Sequence, residues 1–149
     1  SDVPLAAFLS GGLDSSSIVA MMRRHISGPL RTYTIGYADK TFSELDYAQV
    51  VADRFGTEHH ILMIDEMTPD LIEQSIWHLD EPMTDLSAIP LMLICREARR
   101  TVTVCLSGEG GDEVFAGYDR FKASKMARYY ALMPRPIRQA LIESWVLRL

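Results

Sequence analysis

The sequence predicts an α/β domain built on a parallel sheet with helices on both faces. Short apolar or β-branched runs alternate along the chain with amphipathic helical patterns. Parallel strands joined in this way need right-handed crossovers, which cover the sheet with helices. Loops rich in glycine and polar residues follow the first and fourth runs. Because ligands of such sheets bind beyond the carboxyl ends of the strands, these two loops are the expected functional region.

Four strands and five main helices account for the pattern. The strands are predicted at residues 5–9, 31–37, 60–64 and 102–106. The helices are predicted at residues 13–26, 44–55, 69–79, 89–100 and 112–132. A hydroxyl at Ser43 is expected to cap the second helix. Pro134 and Pro136 break the chain before a last amphipathic helix.

Composition narrows the class of protein. The chain has 149 residues, 48% of them hydrophobic, which is enough for one domain with a core. A net charge of −5 argues against general affinity for nucleic acid. No long apolar run and no secretory signal is visible, so we expect no membrane association and a cytoplasmic location. Cys95 and Cys105 are expected to be small core residues.

Basic residues are concentrated in residues 120–149. We interpret them as a solvated helical face. The alternative is a tail that packs on an acidic neighbour or approaches phosphate.

The loop of residues 10–16, Ser-Gly-Gly-Leu-Asp-Ser-Ser, joins the first strand to the first helix. Gly11 and Gly12 let the backbone turn sharply and approach a ligand closely. The helix start presents unpaired N–H groups and a partial positive charge. With the hydroxyls of Ser10 and Ser15, these groups predict a cradle for pyrophosphate.

Asp14 adds a carboxylate to this loop. A carboxylate beside phosphates is repelled unless a divalent cation lies between them, so Asp14 indicates Mg²⁺. The alternative is that Asp14 only complements the dipole of the first helix.

The loop of residues 107–113, Ser-Gly-Glu-Gly-Gly-Asp-Glu, combines three glycines with three carboxylates. If the first and fourth strands are neighbours, the two loops face each other, and Asp14 and Asp112 are placed to share one Mg²⁺. The alternative is an acidic helix start at Asp112 and Glu113.

The first loop resembles the Ser-Gly-Gly-x-Asp-Ser signature, or PP-loop, of the ATP pyrophosphatases, which implies the adenine nucleotide alpha hydrolase-like fold. Four separated motifs resemble, in order, those of the asparagine synthetases. Besides the first loop they comprise residues 34–37 with 56–60, residues 80–90 and residues 106–118. The chain is therefore identified as a partial asparagine synthetase-type ATP-binding domain covering residues 1–149. The resemblance implies that an N-terminal glutaminase domain of the same parent chain and the C-terminal remainder of the synthetase domain lie outside it.

The resemblance also implies a reaction. ATP and aspartate give β-aspartyl-AMP and pyrophosphate, and ammonia then attacks the acyl-adenylate. By matching motifs, the phosphates are assigned to Ser10, Gly11, Gly12, Asp14 and Ser15. The adenosine site is assigned to Leu9, Ile35, Ser107 and Gly108. Mg²⁺ is assigned to Asp14 and Asp112, and the deprotonation or orientation of ammonia is assigned to Glu109.

Three alternatives stay open at the level of sequence. A related amidotransferase or β-lactam-forming synthetase would keep the fold and act on another carboxylate. A non-catalytic ATP-binding module would not need Glu109, and a nucleic-acid-modifying adenylating enzyme fits poorly with an acidic chain. The fragment alone is expected to be catalytically incomplete, and the oligomeric state is open, with a homodimer as one option.

Overall fold

The computed structural model describes residues 2–38, 43–81 and 87–139. The chain divides into two units, Ser1–Gly108 and Glu109–Leu149, and each is described by itself. The predicted motif at residues 80–90 lies partly, and the last predicted helix largely, outside the described residues.

The first unit alternates four strands with four helices. The strands are β1 Leu5–Phe8, β2 Arg31–Tyr37, β3 Glu58–Ile64 and β4 Val104–Leu106. The helices are α1 Leu13–His25, α2 Leu45–Phe55, α3 Pro69–Leu79 and α4 Ala88–Ala98.

The strands form one parallel sheet in the order β3-β2-β1-β4. The chain first winds outward from β1 through β2 to β3, and then returns to β4 on the other side of β1. The winding direction therefore reverses between β1 and β4, where the carboxyl ends of the two strands lie side by side. The first and fourth strands are neighbours, with Ala7 paired to Leu106, which meets the condition stated for the two glycine loops to face each other.

Helices cover both faces of the sheet, as predicted. On one face, Ala7 lies in a buried cluster with Val19 of α1 and Ala52 of α2. On the other face, Ala6 lies in a cluster with Ile94 and Ala98 of α4. Ala6 and Ala7 are both 0% exposed. Because β1 is buried on both sides, its side chains are apolar without alternation.

Two side-chain contacts of the buried Tyr33 connect β2 to neighbouring elements. Its ring stacks on the imidazole of His60 at a centroid distance of 4.9 Å. Its hydroxyl is hydrogen-bonded to the hydroxyl of Thr101, which follows α4. Tyr33 is 3% exposed, so its hydroxyl is largely removed from water. The bond to Thr101 replaces the hydrogen bond to water that burial removes.

Several element ends differ from the sequence prediction. The strand β3 begins at Glu58, two residues early, because Glu58 pairs with Arg31. The strand β4 begins at Val104 and not at Val102. The N–H of Val102 donates to the carbonyl oxygen of Ala98 at the end of α4, so it is not available for pairing in the sheet. The expected cap at Ser43 is wrong: Glu44 is the N-cap of α2, and no side chain caps it.

The second unit contains α5 Gly111–Phe115, α6 Asp119–Leu132 and α7 Arg135–Arg138. The single helix predicted over residues 112–132 is wrong. Ala116 adopts the left-handed conformation with φ of 57°, and the N–H of Gly117 bonds to the carbonyl oxygen of Asp112 at 3.0 Å. The left-handed residue and this bond end α5, and α6 begins after its N-cap Tyr118. No residue described in this unit is buried.

Candidate functional site

The loop after β1 is held by a small hydroxyl network. The hydroxyls of Ser10 and Ser15 lie 3.0 Å apart, and the Ser15 hydroxyl also accepts the N–H of Ser10 at 3.2 Å. The N–H of Gly12 donates to the Ser10 hydroxyl at 3.3 Å. Ser10, Gly12 and Ser15, all predicted site residues, are therefore brought together in one turn.

Gly11 lies against the first turn of α2. It has φ of +84°, and a Cβ built on it would lie 2.5 Å from the carbonyl carbon of Tyr47 and 2.6 Å from the N of Ala48. The contact is with backbone atoms, so it leaves no room for a side chain. This close approach fixes the loop over α2, and it explains why a glycine stands at this position.

The amino end of α1 is open. Gly12 is its N-cap, and no side chain within the described residues caps the helix. The first N–H group used inside the helix is that of Ser16, which donates to the carbonyl oxygen of Gly12 at 3.0 Å. The preceding N–H groups, with the positive end of the helix dipole, offer a binding surface for an anion.

Gly108 brings the second loop against this helix end. A Cβ on Gly108 would lie 2.9 Å from the backbone N of Ser15 and 3.2 Å from Cβ of Asp14. Gly108 follows β4, and Asp14 is in the first turn of α1. Gly108, the second residue of the loop that follows β4, therefore lies against the start of α1 at the reversal of winding.

Two further predicted positions lie at the sheet. Leu9 is 2% exposed and packs in the cluster between the sheet and α1 and α2. Its carbonyl oxygen accepts the hydroxyl of Thr34, and its N–H donates to Tyr33. Ile35 packs against the clusters under α4. The side chains of Leu9 and Ile35 therefore lie in different cores, so their assignment to one adenosine site stays a prediction.

Glu109 and Asp112 belong to the second unit. Asp112 is half-buried in α5, and a Cβ on Gly117 would overlap its Oδ1 atom, so Gly117 makes room for the carboxylate. The neighbouring Glu113 accepts a hydrogen bond of 2.8 Å from Tyr118, which raises the pKa of the Tyr118 hydroxyl. The roles of Glu109 and Asp112 stay predictions.

The acidic and other metal-ligating side chains are dispersed over the described residues. Within residues 2–38, 43–81 and 87–139, no group of three His, Cys, Asp or Glu side chains is placed to hold a metal ion. Asp14 supplies a hard oxygen ligand beside the open helix end, and Mg²⁺ that accompanies phosphates needs one or two protein carboxylates. The donor set of the first loop therefore fits a phosphate-borne ion.

The adjacent histidines are structural. His59 Nδ1 is 3.0 Å from the hydroxyl of Thr32, while His60 stacks on Tyr33 on the other face. Burial, and then the charge of His60, lowers the pKa of His59, with Asp53 acting in the opposite direction. The neutral form of the His59 imidazole is therefore favoured relative to a solvent-exposed histidine.

The prediction that both cysteines are core residues is half wrong. Cys105 is half-buried against the cluster of α4, but Cys95 of that helix is exposed. Desolvation raises the pKa of both thiols, and the nearby Cys95 raises the pKa of Cys105 further, which disfavours the nucleophilic thiolate.

Sequence reasoning missed Tyr47, Ala48 and Thr34, which support the loop from α2 and β2. Their residue types carry no signal for this role, since the contacts join positions far apart in sequence. Only the glycine at Gly11 hinted that some backbone would lie close to the loop.

The sheet order and the glycine turn after β1 define an α/β domain with the fold of the ATP pyrophosphatases. The model of the asparagine synthase family matches residues 1–148, and the chain belongs to that family. It is 38% identical over 144 residues to asparagine synthetase [glutamine-hydrolyzing] 1 of Bacillus subtilis, a match that covers 95% of the chain and 22% of that protein. It is 30% identical over 142 residues to the amidase chyE of Penicillium rubens, covering 85% of the chain and 21% of that protein.

A solved structure shares the fold. The NH3-dependent NAD synthetase of Campylobacter jejuni superposes with a TM-score of 0.52 at 15% identity, covering 77% of this chain and 51% of that one. The chain spans 22% of the length of the Bacillus relative. No helix in the described part of the chain has the length and apolar character needed to cross a membrane.

Proposed function

We propose that this chain forms the ATP-binding part of an amidoligase that adenylates the side-chain carboxylate of aspartate. The products of this step are β-aspartyl-AMP and pyrophosphate, and ammonia then converts the adenylate to asparagine. The meeting of Gly11, Gly12 and Gly108 at the open end of α1 carries the proposal. Membership of the asparagine synthase family supports it.

The phosphates of ATP are assigned to the first loop. The N–H groups at the start of α1 and the hydroxyls of Ser10 and Ser15 are the donors, while the glycines keep side chains out of the way. A carboxylate that attacks the α-phosphorus brings two anions together. Oriented donors in a confined loop lower this repulsion, and positioning adds the rest.

We assign Mg²⁺ to Asp14, with Asp112 as the second carboxylate. When bound, the ion neutralises charge that develops on the phosphate oxygens. Asp14 is supported by its position beside Gly108 and the helix end. Asp112 is supported only by the motif in which it stands.

Glu109 is proposed to accept a proton from the attacking ammonia. A carboxylate near the acyl-adenylate can act as a general base or orient the amine through a hydrogen bond. The glutaminase domain of the parent chain is proposed as the source of ammonia. Water must be excluded from this step, since it would hydrolyse the mixed anhydride.

The proposal is tested on the intact parent enzyme by pyrophosphate release from ATP, Mg²⁺ and aspartate. We expect Asp14→Asn to lower release by about a hundredfold, a loss typical of a group that stabilises transition-state charge. The matched control is Asp70→Asn, an exposed acid in the first turn of α3 that makes no described contact with the loops, with release unchanged.

Two results would refute it. Equal effects of the two substitutions would remove the assigned role of Asp14. Release that depends on another carboxylate and not on aspartate would replace the substrate, in favour of a related amidotransferase or a ring-forming synthetase.

A further inference from the structure

A cavity lies beside the edge strand β3 of the sheet. Its volume is about 460 Å³, which is in the range of small-molecule sites. It is lined by the carboxyl-terminal half of β3 and by one side of α4, with Leu62 and Leu93 among its apolar residues. Neither glycine loop contributes to the lining, and β2 separates β3 from β1, so the two strands lie about 10 Å apart in the sheet.

The rim of this cavity carries charges of both signs. Arg100 and Glu97 form an ion pair of 2.8 Å with each other. Arg96, Asp65 and Glu66 also line the cavity, and none of the three pairs with another residue that the structure describes. Around the apolar patch, the Arg96 guanidinium and the carboxylates of Asp65 and Glu66 thus have no salt-bridge partner among the described residues.

We propose that this cavity binds a free α-amino acid as its zwitterion. The carboxylate of the amino acid bonds to Arg96, which offers planar, paired N–H donors. The ammonium group lies between Asp65 and Glu66, and the side chain packs on Leu62 and Leu93.

The charge balance also selects the kind of amino acid. The lining holds two arginines and three acids, so it carries one excess negative charge. An acidic amino acid adds a further negative charge and is repelled, whereas an uncharged side chain suits the apolar patch. The site therefore differs in preference from the proposed aspartate site, and it is independent of the proposed function.

The test is calorimetric titration of the full chain with L-leucine as the probe. L-leucinamide lacks the carboxylate, N-acetyl-L-leucine lacks the ammonium group, and L-aspartate carries the extra charge. We expect leucine to bind saturably and each of the other three to bind at least about tenfold more weakly, since a hydrogen bond to a charged group is worth about this factor.

Substitutions locate the site. Arg96→Gln is expected to weaken leucine binding by about tenfold, because the bond to the leucine carboxylate is lost. Leucinamide has no carboxylate that could bond to Arg96, so its binding should not change. The matched control is Arg99→Gln, an exposed arginine near the same helix end that does not line the cavity. Unfolding curves of both variants show whether the fold is retained.

Three outcomes would overturn the proposal. They are an absence of saturable leucine binding up to about 10 mM, equal binding of leucine and its two blocked analogues, and equal effects of Arg96→Gln and Arg99→Gln in variants that keep the fold.

Discussion

Replacing Gly11 by alanine tests whether the loop is fixed by its contact with α2. Gly11 has φ of +84°, and the new Cβ would lie 2.5 Å from the carbonyl carbon and Cβ of Tyr47 and 2.6 Å from the N of Ala48. These atoms belong to the first turn of a helix, so they cannot rotate away as a flexible side chain would. The substitution therefore combines backbone strain with a steric overlap.

The two contributions can be estimated separately. A non-glycine residue in the left-handed region costs about 1–2 kcal/mol. Forcing an extra carbon into a close-packed contact costs about 1–3 kcal/mol. Gly11→Ala should therefore lower the free energy of unfolding by about 2–5 kcal/mol.

Two other glycines separate these effects. Gly56 has φ of +59° with nothing within 4 Å of a built Cβ, so Gly56→Ala carries the strain alone and should cost about 1–2 kcal/mol. Gly28 has open space and no positive φ, so Gly28→Ala should leave stability unchanged or raise it by up to about 1 kcal/mol. Urea unfolding of the three variants measures the differences. If Gly11→Ala costs no more than Gly56→Ala, the contact with α2 does not fix the loop.

Three further perturbations follow from the same contacts. Gly108→Ala should weaken ATP binding by about tenfold or more, because its Cβ would lie 2.9 Å from the N of Ser15; equal affinity in a binding titration would separate the two loops. Burial lowers the pKa of His59 in the folded state below its unfolded value of 6.5. The unfolded chain therefore binds a proton more readily, so the free energy of unfolding declines as the pH falls from 6.5 toward the folded pKa. His59→Gln should flatten that decline in urea unfolding measured across pH, and an unchanged slope would contradict it. Tyr33→Phe removes the hydrogen bond to Thr101 and should cost about 1 kcal/mol by thermal unfolding, whereas a neutral result would show that the bond adds nothing.

The sheet and most helices could be predicted from sequence because their signals are local. The apolar run at residues 5–9 and the β-branched run at residues 31–37 contain their own strand pattern. The position of β4 next to β1 was only a condition of the sequence argument, because strand order depends on contacts between residues far apart in the chain.

The rest depended on contacts between distant residues. The break at Ala116 was hidden, since alanine favours helices and the surrounding pattern is apolar. The exposure of Cys95 was hidden as well, because an apolar neighbourhood in sequence says little about which side of a helix faces the core. In the site, Asp14 and Gly108 could be proposed from their loops, but the support of Gly11 by Tyr47 could not.

The two alanines of the central strand have a consequence for the geometry above them. Ala6 and Ala7 are wholly withdrawn from solvent on opposite sides of the sheet, and each has a helix layer pressed against a single methyl group. Ala7→Val would push α1 and α2 away from the strand, and the amino end of α1 would be displaced with them. The small side chains of β1 therefore set how far the start of α1 stands from the sheet.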